Sequence, residues 1–598
     1  MDGNNIVSDD HILAETFNTF FKEAVNKLNI KGNCDLIDIE SNDENIILDH
    51  IDTIIGKFKN HPSILKIKEM VVSNHEFTFS QVSLEEVENE MRKLNTNKAT
   101  TFKNIPPKRL KENADICCPI LLQLINDCFE NNEFPNALKV ADVTPTFKKD
   151  DATNVKNYRP ISILPVNSKI FERIMHTQIT NFINAHLSPI LCGYRTGFST
   201  QHALISLLEK WRATLDKKGY AGAILMDLSK AFDCLNHELL IAKLHAYGFS
   251  NKSIALIKSY LTNRWQRTKI NTSFSSWYEL IIGVPQGSVL GPLLFNIFIN
   301  DLFWICEQAD VCNFADDTTL YACDMNLNNV LRKLEHDSLL AIEWFEANYM
   351  KLNVDKCHLL VAGHKHEWVW AKIGDNLLWE SNEQRLLGVN IDKNLRFENH
   401  VENICKKANI KLTAIARYSR FLNFDKTKSL VKAFIDNQFE YCPLVWMFHS
   451  RKMNSKINRL HERSLRLLYK DDISTYQQLL KRAGSFTIHQ RNIQSLAIEM
   501  FKVKNNIGPE LLNEVFVKRV YNGPALRSVS DFVKPRINSV HFGEDSLQNF
   551  GCNIWNIIPC DIKNSCNLDI FKRRIRTWSP DKCPCRLCKT YIQGVGYI

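Results

Sequence analysis

Val311-Cys312-Asn313-Phe314-Ala315-Asp316-Asp317-Thr318-Thr319-Leu320 is the most informative segment of the sequence. Apolar and β-branched residues flank an Ala-Asp-Asp tip on both sides, which is typical of a β-hairpin. Such a hairpin would push the two carboxylates of its tip out of the sheet. An Asp-Asp pair in a turn is usually only solvated, so the hairpin indicates a site only if other parts of the sequence support it.

A further carboxylate follows a second predicted strand. The run Ala223-Ile224-Leu225-Met226 leads to Asp227, and the segment Asp227-Leu228-Ser229-Lys230-Ala231-Phe232-Asp233 then enters a predicted helix. Mg²⁺ prefers carboxylate oxygens, and nucleotidyl transfer uses two such ions roughly 3.5–4 Å apart. Two neighbouring strand ends would supply these oxygens. The candidate catalytic residues and metal ligands are therefore Asp227, Asp316 and Asp317.

A Gly/Pro-rich turn lies between the two carboxylate clusters. It reads Gly283-Val284-Pro285-Gln286-Gly287-Ser288-Val289-Leu290-Gly291-Pro292 and leads into an apolar run over residues 293–299. Glycine lets a backbone approach a base or a sugar closely, and the side chain of Gln286 offers both a donor and acceptors. Taken alone, the same pattern also fits a loop followed by a core helix.

In this order the three clusters resemble the palm of reverse transcriptases, and their residues are most similar to non-LTR retrotransposon polymerases of the jockey and chicken-repeat type. Motifs with the same resemblance extend over roughly residues 77–470. They include Pro145-Thr146-Phe147-Lys148-Lys149-Asp150, Asn157-Tyr158-Arg159-Pro160-Ile161-Ser162, Gly193-Tyr194-Arg195-Thr196-Gly197-Phe198-Ser199-Thr200 and Leu387-Gly388-Val389-Asn390-Ile391-Asp392.

The resemblance implies a role for each matching residue. Asp227 and Asp316 match the family's metal-holding pair, and Asp317 matches the second Asp of its paired motif, a less direct ligand. Phe232 matches an aromatic residue that crowds the sugar 2′ position and excludes ribonucleotides, although an ordinary core aromatic is the alternative.

The same resemblance implies a set of residues that bind the nucleotide. Two cations would meet the incoming triphosphate, two loop residues would position template and nucleotide, and a lysine would protonate the leaving pyrophosphate. The two cations are Lys148 and Arg159, the two loop residues are Gln286 and Gly287, and the lysine is Lys356. Phe232 completes the predicted set of nucleotide-binding residues.

The implied fold is α+β, a right-hand polymerase with an antiparallel palm sheet and a helical C-terminal region. We expect a helical lead-in or linker over residues 1–76, fingers and palm over 77–395, a helical thumb over 396–500, and a basic, cysteine-containing region over 501–598. Full-length members of the family carry an N-terminal endonuclease. The residues before the fingers are too few for such a domain, so we expect it to be lacking.

The implied reaction is RNA-directed DNA synthesis. Deoxynucleotides are added to a primer 3′-OH with two Mg²⁺ ions, for which Mn²⁺ is a substitute, and pyrophosphate is released. The expected partners are an RNA template, such as the element's own RNA, a DNA primer and deoxynucleoside triphosphates. One alternative is an inactive or domesticated nucleic-acid-binding relic of such an element. Another is a group II intron maturase or a viral RNA replicase, against which residues 387–392 and 441–446 argue.

The C-terminal third carries basic clusters. Between Arg451 and Lys470, cations recur at three- and four-residue steps beside an apolar stripe, which predicts an amphipathic helix with one positive edge. A solvated face is the default explanation, but behind a polymerase palm the pattern favours a helix that follows a phosphate backbone. The candidate nucleic-acid-binding residues are Lys456, Arg459, Arg463, Arg466 and Lys470.

The composition is that of an ordinary globular chain, with 598 residues, 44% hydrophobic residues and a net charge of +9, which suits a polyanionic partner. Neither an apolar run of about 20 residues nor a signal-peptide pattern is found, so we expect an intracellular protein of the nucleus or cytoplasm without membrane contact. Cys583, Cys585 and Cys588 could bind zinc. A tetrahedral site needs a fourth ligand, which Cys560, Cys566 or a histidine would have to supply.

Overall fold

The structure is a computed structural model that describes residues 8–26, 44–71, 75–101, 104–364, 367–519, 530–580, 583–588, 591–592 and 596–597. Parts of the predicted lead-in, residues 1–7, 27–43 and 72–74, lie outside the described residues, and so do parts of the predicted C-terminal region.

The α-helices, in chain order, are α1 (Asp10–Asn26), α2 (Glu44–Phe58), α3 (Pro62–Met70), α4 (Leu84–Arg92), α5 (Pro107–Glu112), α6 (Ala114–Asn131), α7 (Val166–Ile183), α8 (Thr200–Asp216), α9 (His237–Ala246), α10 (Asn251–Leu261), α11 (Leu290–Ile299), α12 (Leu327–Ala347), α13 (Glu398–Tyr418), α14 (Phe424–Val431), α15 (Asn437–Glu440), α16 (Pro443–Trp446), α17 (Arg451–Tyr469), α18 (Tyr476–Ala483), α19 (Ile488–Lys504), α20 (Leu511–Val515), α21 (Leu547–Ile557), α22 (Cys560–Lys563) and α23 (Leu568–Ile575). The strands are β1 (Ala141–Phe147), β2 (Tyr158–Ile163), β3 (Tyr220–Met226), β4 (Trp265–Ile270), β5 (Ser273–Phe274), β6 (Tyr278–Glu279), β7 (Asp310–Phe314), β8 (Asp317–Asp324), β9 (His358–Ala362), β10 (Trp370–Ile373), β11 (Asn376–Ser381), β12 (Glu383–Leu386), β13 (Val389–Asp392), β14 (Tyr591–Ile592) and β15 (Gly596–Tyr597). Short helical turns include Ala231–Cys234, Asn300–Trp304 and Val354–Lys356.

The chain divides into two compact units, each assembled from segments that are distant in sequence. The first unit comprises Met1–Ser188, Asp227–Cys306 and Leu340–Asn353. The second comprises Pro189–Met226, Glu307–Leu339 and Val354–Ile598.

The first unit contains a small mixed sheet and a helical core. Strand β1 pairs antiparallel with β2 and parallel with β4, and β4 also pairs antiparallel with β5 and β6. The segment that follows α6 meets α7 and α10 through aromatic rings: Phe134 stacks on Phe171 of α7 at 4.8 Å between ring centroids and meets Tyr260 of α10 edge-on at 5.1 Å. These three rings are fully buried, so their packing fixes the position of the helices.

A buried ion pair joins helices of the first unit. The ammonium group of Lys243 lies 2.6 Å from one carboxylate oxygen of Asp301, and both side chains are fully buried. The other oxygen of Asp301 accepts a hydrogen bond from the indole of Trp344 at 2.6 Å, and Lys243 also donates to the carbonyl of Phe298 at 2.7 Å. Burial lowers the pKa of Lys243 to about 8, although Asp301 opposes the shift. Because each charged group has two polar partners, the pair can hold α9, the turn Asn300–Trp304 and the end of α12 in one arrangement.

The second unit contains the larger sheet, with strand order β10-β11-β9-β3-β8-β7. Strand β3 pairs antiparallel with both β8 and β9, and β7 pairs antiparallel with β8. The backbone at Gly222 packs closely against α12, because a Cβ atom there would lie 2.8 Å from the side chain of Val330. Ala221 and Ala223 of the same strand belong to the hydrophobic core that includes Trp211 of α8. The centre of the sheet is therefore buried on both faces.

The helical C-terminal part belongs to the same unit and is tied to α8. The carboxylate of Asp216, at the end of α8, accepts hydrogen bonds from the backbone N–H groups of Asn538 and Ser539 at 2.9 and 2.7 Å. Within α8, His202 lies 3.1 Å from Glu499 of α19. Sheets and helices together confirm the predicted α+β fold class, while the predicted limits of fingers, palm and thumb stay predictions. In the described part of the chain, no helix combines the length and the apolar character that crossing a bilayer requires.

Candidate active site

The pairing of β3 with β8 determines where the predicted carboxylates lie. Met226, the last residue of β3, is opposite Thr318, and Phe314 of β7 is opposite Asp317. Both strand pairs therefore end at the same edge of the sheet. Chain continuity places Asp227 directly after this end of β3, while Asp316 lies in the turn between β7 and β8. Asp316 and Asp317 are exposed and Asp227 is half-buried, so the edge presents carboxylate oxygens to solvent.

The turn that carries Asp316 is held in a strained conformation. Ala315 has φ +60, a left-handed value that costs a residue with a Cβ roughly 1–2 kcal/mol. The side-chain amide of Asn313, itself fully buried, donates to the carbonyl of Ala315 at 3.0 Å and to the hydroxyl of Thr318 at 3.1 Å. These contacts hold the tip in one geometry, which a metal-binding carboxylate requires.

Gly193 supports the same turn from outside the hairpin. A Cβ atom at this position would lie 2.2 Å from the backbone nitrogen of Ala315 and 2.8 Å from its Cα. The neighbouring Leu191 forms a parallel bridge with Asn313. Asn313 and Gly193 were not among the predicted site residues. An asparagine in the middle of an apolar strand was the signal for the first, whereas the contact of Gly193 depends on tertiary structure.

Phe232 is held by stacking on a core ring. It lies in the turn Ala231–Cys234, and its ring stacks on Phe295 of α11 with 4.6 Å between centroids and 20° between planes. Phe295 is fully buried, while Phe232 is half-buried. The stacking fixes the position of the Phe232 ring and leaves part of it accessible, so both predicted roles of this residue are compatible with the geometry.

The predicted loop over residues 283–288 is fastened to the same turn. The backbone N–H of Val284 donates to the carbonyl of Phe232 at 3.0 Å, and the side-chain amide of Gln286 donates to the carboxylate of Asp233 at 2.7 Å. Burial raises the pKa of Asp233, and the hydrogen bond from Gln286 opposes this shift. The amide nitrogen of Gln286 thus has a partner within the protein.

The same loop also packs on β2, which carries Arg159. Gly287 has φ +135, and a Cβ atom there would lie 2.3 Å from the carbonyl oxygen of Ser162. The N–H of Ser162 donates to the carbonyl of Gln286 at 2.8 Å. This position requires glycine for two reasons, its backbone conformation and its close approach to another strand.

A buried carboxylate holds the start of the helix after the loop. Glu172 of α7 is fully buried and accepts hydrogen bonds from the backbone N–H groups of Val289 and Leu290, at 2.6 and 3.1 Å. A negative charge stabilises a helix at this end, where N–H groups have no partner within the helix. Glu172 was not predicted, because its partners lie more than a hundred residues away: the separation from Val289 is 117.

The two predicted cations of the first unit lie on one face of a hairpin. Arg159 is opposite Thr146 in the register of β1 and β2, and the N–H of Lys148 donates to the carbonyl of Asn157 at 2.8 Å. Since side chains alternate along a strand, Lys148 and Arg159 share a face as diagonal neighbours. Both are exposed.

Lys356 is exposed and lies in the turn Val354–Lys356, in the second unit. Three positions earlier in the chain, the N–H of Asn353 donates to the carbonyl of Asp227 at 2.9 Å, and both of these residues belong to the first unit.

The predicted basic helix is confirmed as α17 (Arg451–Tyr469), and several of its cations have partners within the chain. Lys456 forms an ion pair with Glu402 of α13, Arg463 donates to the side-chain oxygen of Asn409 at 2.6 Å, and Arg466 pairs with Glu462 at 2.6 Å. Arg459, Arg463 and Lys470 are exposed. The positive edge thus borders the contact between α13 and α17.

Residues 147–391 match the family model described as reverse transcriptase (RNA-dependent DNA polymerase). The chain is also similar to the RNA-directed DNA polymerase from mobile element jockey of Drosophila melanogaster, 26% identical over 54% of this chain and 37% of the relative. The corresponding protein of Drosophila funebris is 26% identical over 64% of this chain and 43% of the relative. The probable RNA-directed DNA polymerase from transposon X-element of Drosophila melanogaster is 28% identical over 43% and 29%.

These similarities confirm the resemblance that the motifs indicated. The range that matches the reverse transcriptase family model, residues 147–391, includes all three candidate carboxylates. The chain spans less than half of the length of each of these three relatives, between 29% and 43%.

Replacing Gly193 with Ala should displace the carboxylate hairpin. Because the new Cβ would lie 2.2 Å from the backbone nitrogen of Ala315, we expect the free energy of unfolding to fall by about 1–3 kcal/mol, with faster hydrogen exchange across residues 311–320. Gly56→Ala is the control. Gly56 lies inside α2, and a Cβ atom at this position would meet nothing within 4 Å, so this change should instead raise stability by about 0.5–1 kcal/mol. A Gly193→Ala chain with wild-type stability and exchange would show that the tip does not depend on this contact.

Proposed function

We propose that the chain is an RNA-directed DNA polymerase of the non-LTR retrotransposon type, which adds deoxynucleotides to a primer 3′-OH on an RNA template. The observation that carries this proposal is the sheet edge at which β3 ends before Asp227 and the β7–β8 hairpin exposes Asp316 and Asp317. This edge lies in the range that matches the reverse transcriptase family.

The donor set at this edge fits Mg²⁺. Its ligand atoms are hard carboxylate oxygens, and the exposure of Asp316 and Asp317 leaves room for phosphate and water. Asp227 and Asp316 would hold the two ions, with Asp317 a less direct ligand, and Mn²⁺ would substitute because it accepts the same donors. When bound, the ions neutralise the charge that develops on the transferred phosphoryl group and lower the pKa of the attacking hydroxyl.

The chain's own residues would bind and orient the nucleotide. Lys148 and Arg159, exposed on one face of the β1–β2 hairpin, are suited to pair with a triphosphate. The bond between Gln286 and Asp233 and the close contact of Gly287 with Ser162 hold the loop in place, so that its backbone can position the template or the nucleotide. Lys356 would supply a proton to the leaving pyrophosphate.

The proposed substrates also assign a role to Phe232 and to α17. The ring of Phe232, fixed by Phe295, would exclude the 2′-OH of a ribonucleotide. The basic edge formed by Lys456, Arg459, Arg463, Arg466 and Lys470 would contact the phosphates of the template and primer. Because these nucleic acids occur in the nucleus and the cytoplasm, we expect the chain to act in one of those compartments.

Asp227→Asn and Asp316→Asn should each lower primer extension on a poly(rA)–oligo(dT) substrate by at least about 10³-fold, because an amide keeps the shape of the side chain but not its charge. Far-UV circular dichroism and thermal unfolding should match the wild type. The control is Asp375→Asn, which changes an exposed carboxylate in the turn between β10 and β11 of the same sheet and should leave extension unchanged. Activity of more than a few per cent in either test variant would remove that residue from the catalytic role.

Phe232→Val should raise incorporation of ribonucleotides relative to deoxynucleotides by at least about 10-fold, because the smaller side chain leaves space for the 2′-OH. Phe295→Val, which shortens the buried partner of the stack, is the matched control. It should lower the free energy of unfolding by about 2–3 kcal/mol, with less effect on sugar preference. If a folded Phe232→Val enzyme discriminates as the wild type does, Phe232 is a packing residue.

Reversing Arg459, Arg463 and Arg466 to Glu should weaken primer–template binding for all sequences and reduce the slope of log K against log salt by as much as about 3, since each phosphate contact releases counterions. The control reverses Arg92, Lys108 and Arg109, exposed residues of α4 and α5, and changes the net charge equally. Binding measured by fluorescence anisotropy at several salt concentrations distinguishes a specific effect of the α17 arginines from an effect of net charge. Equal effects of both variants would mean that only total charge matters and that α17 is a solvated face.

A further inference from the structure

Four metal-ligating side chains converge in the helical part of the second unit. His489 of α19 meets Cys583, Cys585 and Cys588, and one ligand atom from each residue lies within 4.8 Å of all the others. The sulfur of Cys585 is 3.1 Å from Nε2 of His489, and the sulfur of Cys583 is 3.5 Å from the same atom. Tetrahedral zinc, with bonds of about 2.3 Å to sulfur and about 2.0–2.1 Å to nitrogen, places its ligand atoms roughly 3.5–3.8 Å apart. The two sulfur–nitrogen distances and the 4.8 Å limit bracket this range, so the four side chains can converge on one tetrahedral ion.

The surroundings of His489 indicate that its imidazole serves this cluster. The residue is 6% exposed, and its Nε2 atom faces the sulfur atoms of Cys583 and Cys585. Its polar contacts are with sulfur atoms, and thiols are weak hydrogen-bonding groups. Burying an imidazole against weak partners is unfavourable, whereas a cation bound at Nε2 would compensate for the lost hydration.

The three thiols are grouped as metal ligands are. Their sulfur atoms lie within 4.8 Å of one another and of a ring nitrogen of His489. Thiolate is the form that binds metal, and a bound cation would allow all three sulfur atoms to lose their protons together.

The structure also distinguishes between the fourth ligands that the sequence left open. Cys560 and Cys566 are exposed and do not belong to the cluster. The histidine that joins it precedes Cys583 by 94 residues, on a different element. No local spacing could have indicated this residue, because the site forms only when the C-terminal segment packs on α19.

We propose that His489, Cys583, Cys585 and Cys588 form a structural zinc site that fastens the C-terminal segment to the helical region. Three sulfur donors and one imidazole select Zn²⁺ over Mg²⁺, Ca²⁺ and Mn²⁺, which prefer oxygen. Four protein ligands complete a tetrahedron and leave no position for a substrate, so the site is structural and not catalytic.

Contacts beside the cluster show what the metal would hold in place. The guanidinium of Arg451, at the start of α17, donates to the carbonyl of Arg586 at 3.0 Å. The side chain of Arg586 lies 3.5 Å from Asp545, just before α21. The segment between Cys583 and Cys588 thus bridges α17, α19 and the start of α21, and the zinc ion would secure this bridge. The proposal does not depend on polymerase activity, because none of these residues belongs to the carboxylate edge.

Metal analysis of the purified, reduced full-length chain tests the site. We expect about one zinc ion per chain after dialysis without chelator. Cys588→Ser, which changes the exposed ligand, and His489→Gln should each lower zinc affinity by at least about 10-fold. Cys560→Ser and Cys566→Ser are matched controls, since they remove exposed cysteines outside the cluster, and both should keep stoichiometric zinc.

Replacement of the metal by Co²⁺ gives a readout that depends on the ligands. The wild type and both controls should show the sulfur-to-cobalt charge-transfer absorption and the intense visible bands of tetrahedral Co²⁺, and Cys588→Ser should lose part of this absorption. A chelator should lower the midpoint of thermal unfolding of the wild type more than that of Cys588→Ser. Should His489→Gln fail to fold, the Cys588→Ser spectrum and the chelator experiment still decide the question. A folded wild-type chain that takes up neither ion, a disulfide within the cluster, or undiminished zinc in Cys588→Ser would each overturn the proposal.

Discussion

The antiparallel pairing of β3 with β8 is the interaction on which the candidate site depends. Side chains alternate along a strand with a period of two, so a slip of one residue would exchange the two faces of β3 and move Asp227 away from the hairpin edge. Packing on both faces prevents such a slip. On one face, the lack of a side chain at Gly222 lets Val330 pack against the backbone of β3. On the other face, Ala221 and Ala223 contribute to the core that contains Trp211. The core packing of this sheet thus determines where its carboxylates emerge.

The candidate catalytic residues are exposed or half-buried, and the residues that orient them are buried. Asn313 and the close approach of Gly193 hold a turn in which Ala315 is strained. In the first unit, the buried Glu172 similarly fixes the start of α11, the helix after the predicted loop. An exposed metal ligand gains little from its own burial, so its geometry has to be maintained by neighbours that are fully packed. The strained conformation of Ala315 persists because these packed neighbours exclude other conformations of the turn.

The local patterns predicted much of this arrangement. Alternating apolar residues around the Ala-Asp-Asp tip correspond to β7 and β8, the apolar run after the loop corresponds to α11, and the spaced cations correspond to α17. Partners that are distant in the chain were not predictable, because residue type alone does not show which buried groups meet. Glu172 and Val289 are separated by 117 residues, and His489 and Cys583 by 94. For the same reason, the two compact units, which combine separated segments, could not be derived from composition.

Under the two proposals, the chain binds Mg²⁺ through carboxylate oxygens at one site and zinc through sulfur and nitrogen atoms at another. Imidazole and thiolate bind zinc far more tightly than magnesium, so a histidine or cysteine beside the catalytic carboxylates would favour the wrong ion. At the sheet edge the candidate ligands are oxygen donors, which bind ions weakly enough for exchange with nucleotide and pyrophosphate. The sulfur ligands lie instead at the C-terminal segment, where four donors close the coordination sphere. Tight binding is an advantage there, because the ion maintains a structure and takes no part in turnover.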